Sequence, residues 1–515
     1  MRSRHVNVDA QDLKNIVYKL RRTCGLFQCV GRSFCTLKDA FFSSLRGPRC
    51  LIFVSTVHSI PPKYPSSAFS PNDIITRDVA IIGGGSSGTH AAISLKDAGK
   101  SLVVVEVKGR LGGHTETYTD PVTGRAQDYG VLVFHNESTV LDYFARFDIP
   151  LAIPEFATNR ANYDLSTGRE VNISASSPEA LGAGLQTYGA FLAQYPELNS
   201  GMFLPDPVPE DLTMPFGDFV VKYGIEAIVQ TLYSTNQGTG DILSMPVLEQ
   251  ARVNGLGLVA QLAANGLIST ARRNNSELYG KAQAELLDAD SLLLSSKVVN
   301  SVRHDDGVEL VVETPDGVKL ICAKKLLITI PPKLDLLASF DLQEQERHVL
   351  ARFINAGYYS ALIKNTGIPE DLFIYNYAPD TPYNLPAIPG IYLVQPTAIL
   401  GVKAIYYGAD VSNATYPLSD DFIKGELVAS IKRLQAANPD KFNATEPEFV
   451  VYTSHAPFYV QATSEDIKAG IYDKMNALQG LKSTYWSGAA FRAHDSSALW
   501  QFNKEVVLPM LTKGL

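Results

Sequence analysis

Two short, wholly apolar runs stand out in the pattern of hydrophobic and polar positions along the chain. DVAIIG (78–83) and SLVVVE (101–106) have the length and composition of strands that are buried on both faces. Between them, SSGTHAAISLKDAG (86–99) shows helix-like apolar spacing and ends at a glycine. The pattern therefore predicts a strand–helix–strand unit of about thirty residues, the size of a right-handed parallel crossover.

Further along the chain, strand-like and helix-like segments are mixed. Two extended runs flank a Pro/Gly turn between 114 and 135, and STVLDYFARFD (138–148) predicts a helix. The segment 297–332 predicts a meander of antiparallel strands with Asp-Gly turns, closing on a buried strand. Residues 336–455 mix helix and strand again, so the pattern predicts an α/β protein.

The turn between the first strand and its helix carries glycines at chemically informative spacing. Gly83, Gly85 and Gly88 form G-x-G-x-x-G, with Ser86 and Ser87 between the last two. The first glycine allows a tight turn, the second a close approach to a pyrophosphate, and the third close packing of helix on strand. The helix N-terminus offers free N–H groups to that anion.

An acidic residue stands at the matching distance from this turn. Glu106 ends the second strand, 18 residues after Gly88, where its carboxylate can accept hydrogen bonds from the ribose hydroxyls of a dinucleotide. We expect dinucleotide binding. A turn that is merely structural is the alternative.

Composition and charge narrow the class of protein. The 515 residues include 45% hydrophobic and 19% charged residues, which is ordinary for a soluble globular protein. Residues 1–77 hold twelve basic and four acidic residues, a charge of +8, so the total of −8 leaves −16 for the rest. An acidic body without a basic stripe argues against nucleic acid as a partner, and no apolar run is long enough to predict a membrane span.

The first 76 residues read as a basic leader and linker outside the fold. They are rich in Arg and Ser and end in a Pro/Ser segment, so a targeting helix, a displaced signal sequence and an incorrect start site all remain open. Five N-x-S/T sequons favour the secretory pathway weakly, and the compartment stays open. Cys322 is the one cysteine after residue 76, so the body can form no internal disulfide.

The segment GRLGGHT (109–115) adds a second glycine pair soon after Glu106. It resembles the motif of flavoproteins with the glutathione-reductase-type fold, in particular the flavin amine oxidase superfamily. This resemblance implies FAD rather than NAD. It places Arg110 near the phosphates, Gly112 and Gly113 in close approach to the cofactor, and His114 beside them.

The resemblance extends over some 430 residues. KVVNSV (297–302) is similar to the segment in which Val298 would contact the adenine, and DYGVLVF (128–134) places Gly130 before the flavin ring, with Val131 where a second glycine is usual. YWSGAAF…SSALW resembles a C-terminal motif in which a helix N-terminus at Ser496 and Ser497 faces the flavin pyrimidine. The sequence around both glycine motifs most resembles that of FAD-dependent oxidoreductases named after beta-cyclopiazonate dehydrogenase.

The fold implied by this resemblance is α/β, with a glutathione-reductase-type FAD-binding (Rossmann-like) domain interleaved with a mixed α+β substrate domain. The FAD-binding domain would use 77–160, 275–335 and 456–510, and the substrate domain 161–274 and 336–455. The active site would then lie at their interface, over the flavin ring.

Two departures put an orthodox amine oxidase site in doubt. The superfamily usually carries a lysine about four residues after a glycine that here is Gly357, but the chain reads YYSA there, and Lys364 comes three positions later. The usual G-T-E near the C-terminus reads GAA at 488–490. The catalytic group is therefore left unknown, with His455, Phe458, Tyr358 and Tyr359 as candidates, although aromatic runs are more often core. No spacing of metal ligands appears.

The expected function is removal of a hydride from a small organic substrate to flavin N5, with dioxygen reoxidising the flavin. An amine or an indole- or alkaloid-like secondary metabolite is the expected substrate class. A redox-neutral FAD-dependent isomerase and a non-catalytic FAD-binding protein are the alternatives. A histidyl link to the flavin stays open through His114, His135 or His494.

Overall fold

The computed structural model describes residues 69–155 and 157–515. Most of the predicted leader lies outside the described residues. The first strand begins at Ile74, before the predicted strand at 78–83 and the predicted domain start at residue 77, because Ile74, Ile75 and Thr76 pair with a later strand at Leu320–Cys322.

The strands in chain order are β1 Ile74–Ile82, β2 Leu102–Val105, β3 Thr117–Thr119, β4 Ala126–Asp128, β5 Leu151–Ala152, β6 Arg160–Asp164, β7 Arg169–Glu170, β8 Ser269–Thr270, β9 Leu292–Leu293, β10 Lys297–Arg303, β11 Val308–Thr314, β12 Gly317–Ile328, β13 Ile354–Lys364, β14 Phe373–Asn376, β15 Gly390–Pro396, β16 Val402–Ser412, β17 Glu448–Ser454, β18 Phe458–Gln461 and β19 Thr484–Trp486.

The α-helices are α1 Ser86–Asp97, α2 Ser138–Arg146, α3 Pro178–Leu192, α4 Glu210–Thr213, α5 Phe216–Tyr223, α6 Val229–Thr235, α7 Val247–Val253, α8 Leu256–Ala264, α9 Ser276–Asp288, α10 Glu344–Leu350, α11 Asp420–Ala437, α12 Ser464–Lys468, α13 Ile471–Asn476, α14 Ser496–Phe502 and α15 Leu508–Thr512.

The first sheet has a parallel centre, in the order β19–β12–β1–β2–β9. The strand–helix–strand unit predicted from the apolar runs is β1–α1–β2, and both strands are buried along the stretch where they pair. The predicted meander is β10–β11–β12, whose strands pair antiparallel. The long strand β12 joins the meander to the parallel centre.

The second sheet has eight strands, with the path β17–β13–β16–β15–β14–β6–β7 and β18 beside β13. One face packs on α11, in a core that contains Tyr359, Ile405 and Tyr407. The other face contributes Tyr406 and Leu393 to the larger core, which also contains strand residues of the first sheet. The face of the second sheet opposite α11 therefore packs towards the first sheet. Residues of this face contribute to the site described below.

These features confirm the predicted α/β fold class. In residues 69–155 and 157–515, no helix has the length and apolar character needed to cross a membrane. Over the same residues, no group of three or more His, Cys, Asp or Glu side chains is placed to hold a metal ion.

A buried ion pair ties α10 to the first sheet and generates a stability prediction. The guanidinium of Arg303 makes two contacts with Glu346, at 2.8 and 2.6 Å, and both side chains are fully buried. Glu346→Ala removes both of these charged hydrogen bonds and leaves Arg303 paired with Asp341 at 3.1 Å, so we expect it to lower the free energy of unfolding by about 2–4 kcal/mol. Urea denaturation measures this.

The matched control is Glu446→Ala, which breaks a mostly exposed pair with Lys432. Exposed pairs contribute at most about 1 kcal/mol, so this variant should unfold almost as the wild type does. Equal losses of stability in the two variants would contradict the assignment of Arg303–Glu346 as a pair that holds the fold.

Candidate cofactor and active site

The first glycine loop is built by close backbone packing. The Gly83 N–H donates to the Val105 carbonyl at 2.9 Å, which starts the turn out of β1. A Cβ on Gly88 would lie 1.9 Å from the Gly83 carbonyl oxygen, so α1 approaches the loop at a distance that only glycine allows. Gly83 and Gly88 thus do what their spacing predicts for a dinucleotide-type turn.

The start of α1 is open to an anion. Its N-cap is Gly85, no side chain caps it, and its first turn contains no acidic residue. The Ser86 hydroxyl donates to Ser496 Oγ at 2.9 Å, and the Ser87 hydroxyl bonds with Ser487 Oγ at 2.7 Å. Both serine side chains therefore face the C-terminal segment, and the first-turn N–H groups, which have no partner within a helix, stay available.

Glu106 is buried at the end of β2 and fixed by two backbone donors. Its carboxylate accepts hydrogen bonds from Gly84 N at 2.6 Å and from Lys108 N at 2.7 Å. Sequence reasoning missed Gly84, where a Cβ would lie 2.2 Å from Leu111 Cδ2. The run of three glycines was the available signal.

The second glycine pair lies against the first loop. The Gly112 N–H donates to the Gly84 carbonyl at 2.8 Å, and the φ angles of Gly112 and Gly113 are +112° and +56°. A Cβ on Gly113 would lie 2.9 Å from Gly85 Cα. The two predicted glycine motifs therefore form one surface, which we call the glycine cradle (Gly83–Gly88 and Gly112–Gly113).

Basic side chains beside the cradle share one carboxylate. Arg110 Nη2 lies 2.5 Å from Glu116 Oε1, and Lys108 Nζ lies 3.3 Å from the same oxygen. Arg110 Nη1 also donates to the Leu111 carbonyl. Sequence reasoning named Arg110 and missed Glu116, which no short motif marks.

The start of the strand that contains Val298 lies next to Glu106. The Ser296 N–H donates to the Glu106 carbonyl at 2.9 Å, and β10 begins one residue later. Val298 is half-buried, directly before an irregularity in the pairing of β10 with β11. The structure therefore brings the segment that leads into Val298 next to Glu106.

Gly130 packs against the residue that follows the glycine cradle in the chain. A Cβ on Gly130 would lie 2.2 Å from the His114 carbonyl oxygen, so only glycine fits at this contact. His114 directly follows Gly113. The segment after β4 and the segment after the cradle are thus in backbone contact.

Five rings meet at this end of the cradle. We call His114, Tyr358, His455, Phe458 and His494 the aromatic–histidine cluster. The ring centroid of His114 lies 5.0 Å from that of His455, 5.6 Å from Phe458 and 6.3 Å from His494. Tyr358 lies 5.0 Å from Phe458 and 5.7 Å from His455.

Two histidines of the cluster keep one ring nitrogen free of the described residues. His455 is buried, its Nε2 bonds with Ser360 Oγ at 2.9 Å, and its Nδ1 has no partner. His494 Nε2 accepts from the Tyr459 N–H at 3.1 Å, and its Nδ1 has none either. Buried polar atoms are nearly always hydrogen-bonded, so these two nitrogens are available to a water or a ligand.

Two residues named from the sequence lie away from the cluster. Tyr359 packs with Tyr407 on the α11 side of the second sheet, because successive residues of a strand point to opposite faces. Lys364, at the end of β13, pairs with Glu448 at 3.1 Å and is half-exposed. The cluster therefore contains no amine side chain.

The C-terminal helix α14 begins at Ser496, as predicted, but an acidic residue caps it. Asp495 accepts a hydrogen bond from the Ala498 N–H at 2.9 Å and lies 3.0 Å from His135 Nε2. Ser497 Oγ accepts from the His135 N–H. The predicted partial positive charge of the helix terminus is thus shared with a carboxylate–imidazole pair that sequence reasoning did not connect.

Comparisons with known proteins agree with this arrangement. Residues 81–147 match the NAD(P)-binding Rossmann-like domain family. The chain is 48% identical over 471 residues to the FAD-dependent oxidoreductase oblC of Cochliobolus heterostrophus, covering 90% of this chain and 98% of the relative. It is 34% identical over 448 residues to beta-cyclopiazonate dehydrogenase of Aspergillus oryzae, covering 86% and 94%.

Solved structures share the fold. A conjugated-linoleic-acid (CLA)-producing fatty acid isomerase from P. acnes superimposes with a TM-score of 0.68 at 18% identity, covering 84% of this chain and 98% of that one. A putrescine oxidase superimposes with a TM-score of 0.60 at 16% identity, covering 85% and 99%. At such identities the likeness concerns the fold alone, and it agrees with the predicted fold.

The contact between the two glycine loops predicts a difference between two similar substitutions. Gly113→Ala places a methyl group against Gly85. The matched control is Gly124→Ala, since Gly124 has a similar φ of +70° and nothing within 4 Å of the position that a Cβ would take. Both variants carry the same backbone strain, so we expect Gly113→Ala to lose about 1–3 kcal/mol more stability because of overpacking. Urea denaturation of the flavin-free proteins measures the difference, and equal losses would argue against the contact.

The electrostatics of His114 predict a pH dependence of stability. Burial, and then the charges of Lys108 and Arg110, lower the pKa of His114 from 6.5 to about 4. Between these values the unfolded chain binds the proton and the folded chain does not, so stability falls as the pH drops below 6.5. One such group contributes a slope of up to about 1.4 kcal/mol per pH unit.

His114→Gln should therefore flatten the slope of unfolding free energy between pH 6.5 and about 4. The matched control is His304→Gln, at an exposed ring, which should leave the slope as in the wild type. An unchanged slope in His114→Gln would show that this imidazole is not buried in the folded protein.

Proposed function

Because the chain belongs to the family of FAD-dependent oxidoreductases that includes beta-cyclopiazonate dehydrogenase, we propose that it oxidises a small organic substrate with bound FAD. The observation that carries the proposal is the continuity between Gly113 and His114. The same short segment packs on the first glycine loop and carries the first ring of the aromatic–histidine cluster. A dinucleotide held by the cradle would thus reach the cluster with its flavin end.

The residues fit such a cofactor. The uncapped start of α1 leaves first-turn N–H groups for the pyrophosphate, and the glycines let the two backbone loops meet beside it. Glu106 would accept hydrogen bonds from the ribose hydroxyls, and Val298 would lie at the adenine. Arg110 would meet the phosphates by turning from Glu116.

The cluster would supply placement and exclude water. When bound, FAD supplies a hydride acceptor at N5 and can be reoxidised by dioxygen. Tyr358, whose hydroxyl bonds with Gln237 Oε1 at 3.1 Å, would form one wall for a flat substrate. His455, held by Ser360, would orient a polar group of the substrate through its free Nδ1.

An amine or an indole- or alkaloid-like secondary metabolite suits walls made of aromatic rings. Removal of a hydride needs no ionised base on the protein. The absence of an amine side chain from the cluster is therefore compatible with oxidation.

The test uses the purified flavin-bound protein with a panel of amines and indole derivatives. A substrate should bleach the flavin spectrum without oxygen, and admission of air should restore the colour with formation of hydrogen peroxide. Turnover without oxygen uptake would replace the proposal by a redox-neutral isomerase. A flavin that neither reacts with sulfite nor is reduced by light would indicate a binding protein without catalysis.

A variant at Glu106 tests the cradle itself. Glu106→Gln removes the charge that faces two backbone donors and the proposed ribose, and hydrogen bonds to charged groups contribute about 1.5–3 kcal/mol. We expect the Kd for FAD to rise by at least about tenfold, measured by reconstitution of the flavin-free protein. Glu313→Gln, at an exposed pair with Lys297, is the control and should bind FAD as the wild type does.

A further inference from the structure

A cavity of about 350 Å³ lies between the second sheet and the segments around β4, β5 and β8. Its lining comes from four places: the end of β4 with Leu132 and Val133, the end of β5 with residues 153–155 and 157, β8 with residues 271 and 273, and parts of β14 and β15. Leu132, Val133, Phe373 and Pro396 make much of the wall apolar. Such a volume is at the lower end of the range for pockets that bind small organic molecules.

One wall of the cavity is linked to the aromatic–histidine cluster by side-chain contacts on the second sheet. Gln395 lines the cavity, and its Nε2 donates to the Tyr406 hydroxyl at 2.7 Å. The ring of Tyr406 is stacked parallel to that of Tyr358 at a centroid distance of 6.1 Å. Phe373 and Tyr406 belong to the same core, on the face opposite α11.

The other wall continues into the cluster through the segment that follows β4. Asp128, Leu132 and Val133 line the cavity. Gly130, between them in the chain, packs on the carbonyl of His114. The cavity and the cluster are thus bounded by the same two pieces of chain.

Asp128 is the buried charged group of this cavity. Its side chain is held by one oxygen, because Oδ1 accepts from the Thr117 hydroxyl and from the Asn275 N–H at 2.9 Å. Among the described residues, no hydrogen bond reaches Oδ2. Burial raises the pKa of Asp128 to about 7, against the effect of these two donors.

We propose that this cavity binds the apolar body of the substrate and that Asp128 Oδ2 accepts a hydrogen bond from an N–H or O–H group of that substrate. The inference rests on the proposed function, because the molecule bound in the cavity is taken to be the substrate of that reaction. The substrate class that fits is a mostly apolar ring compound with a hydrogen-bond donor on its body.

The free polar groups decide in favour of a donor. Above its raised pKa of about 7, Asp128 is a carboxylate and can only accept hydrogen bonds. The Gln395 amide nitrogen donates to Tyr406, and no hydrogen bond from a described residue reaches Gln395 Oε1. A ligand without a donor would leave Asp128 Oδ2 buried and unpaired, which is costly. Glu155 and Arg273 lie at the exposed edge of the cavity and carry opposite charges, so they favour neither charge on the ligand.

The experiment uses a matched pair of probes, 2-naphthol and 2-methoxynaphthalene, which share a ring system and an oxygen but differ in the donor. Isothermal titration calorimetry of the flavin-bound protein at about pH 8, where Asp128 is ionised, gives both affinities. We expect 2-naphthol to bind about tenfold more tightly, since its hydroxyl bonds with a charged acceptor.

Two variants distinguish the role of the Asp128 carboxylate from the role of the cavity volume. Asp128→Asn keeps Oδ1 for Thr117 and Asn275 and replaces the acceptor by an amide nitrogen, so the preference for 2-naphthol should vanish. Val133→Phe fills part of the cavity and should weaken both probes at least about tenfold. Asp316→Asn and Val122→Phe, at exposed positions, are the controls and should bind both probes as the wild type does.

Equal affinity of the wild type for the two probes, or an unchanged preference in Asp128→Asn, would overturn the role of Asp128. Unchanged binding of both probes in Val133→Phe would show that the cavity is not the binding site. This variant still tests the proposal if Asp128→Asn does not fold. The flavin spectrum, recorded before each titration, reports separately on the proposed function. A protein without flavin refutes that function, whereas a flavin-bound protein without probe preference refutes only this inference.

Discussion

The arrangement of the site depends on close backbone contact between two loops. A Cβ on Gly113 would lie 2.9 Å from Gly85 Cα, and one on Gly88 would lie 1.9 Å from the Gly83 carbonyl oxygen. These distances allow no side chain, so the loops after β1 and β2 meet through their backbones. Beside this contact, no side chain caps the start of α1, so its first-turn N–H groups stay available. Because His114 follows Gly113, the same contact also fixes where the aromatic–histidine cluster begins.

Some of the buried charges lie in ion pairs. Glu249 and Arg252 are fully buried partners at 3.2 Å, and Asp495 lies against His135 at the start of α14. The histidines of the cluster stay neutral, since burial lowers the pKa values of His455 and His494 well below 6.5. Neutral rings can orient a bound molecule without the cost of an unpaired buried charge. This agrees with a site in which the cofactor supplies the chemistry and the protein supplies placement.

Local patterns predicted the elements that depend on local rules. The spacing of Gly83, Gly85 and Gly88 and the position of Glu106 gave the correct turn, because short-range backbone geometry requires those residues. Nothing local distinguished Tyr358 from Tyr359, since the choice between the two faces of β13 depends on what each face packs against. The partners of Arg110 and Asp495 were hidden for the same reason: Glu116 and His135 are brought to them by tertiary contacts. The predicted division into an FAD-binding and a substrate domain remains a prediction, although the two sheets give it a physical basis.

The most direct test of this account is the visible spectrum of the purified protein, followed by acid precipitation and analysis of the flavin. The account predicts an oxidised-flavin spectrum from stoichiometric FAD, held by the glycine cradle whether it is released to the supernatant or stays in the pellet. A colourless protein that takes up no FAD on reconstitution would contradict it.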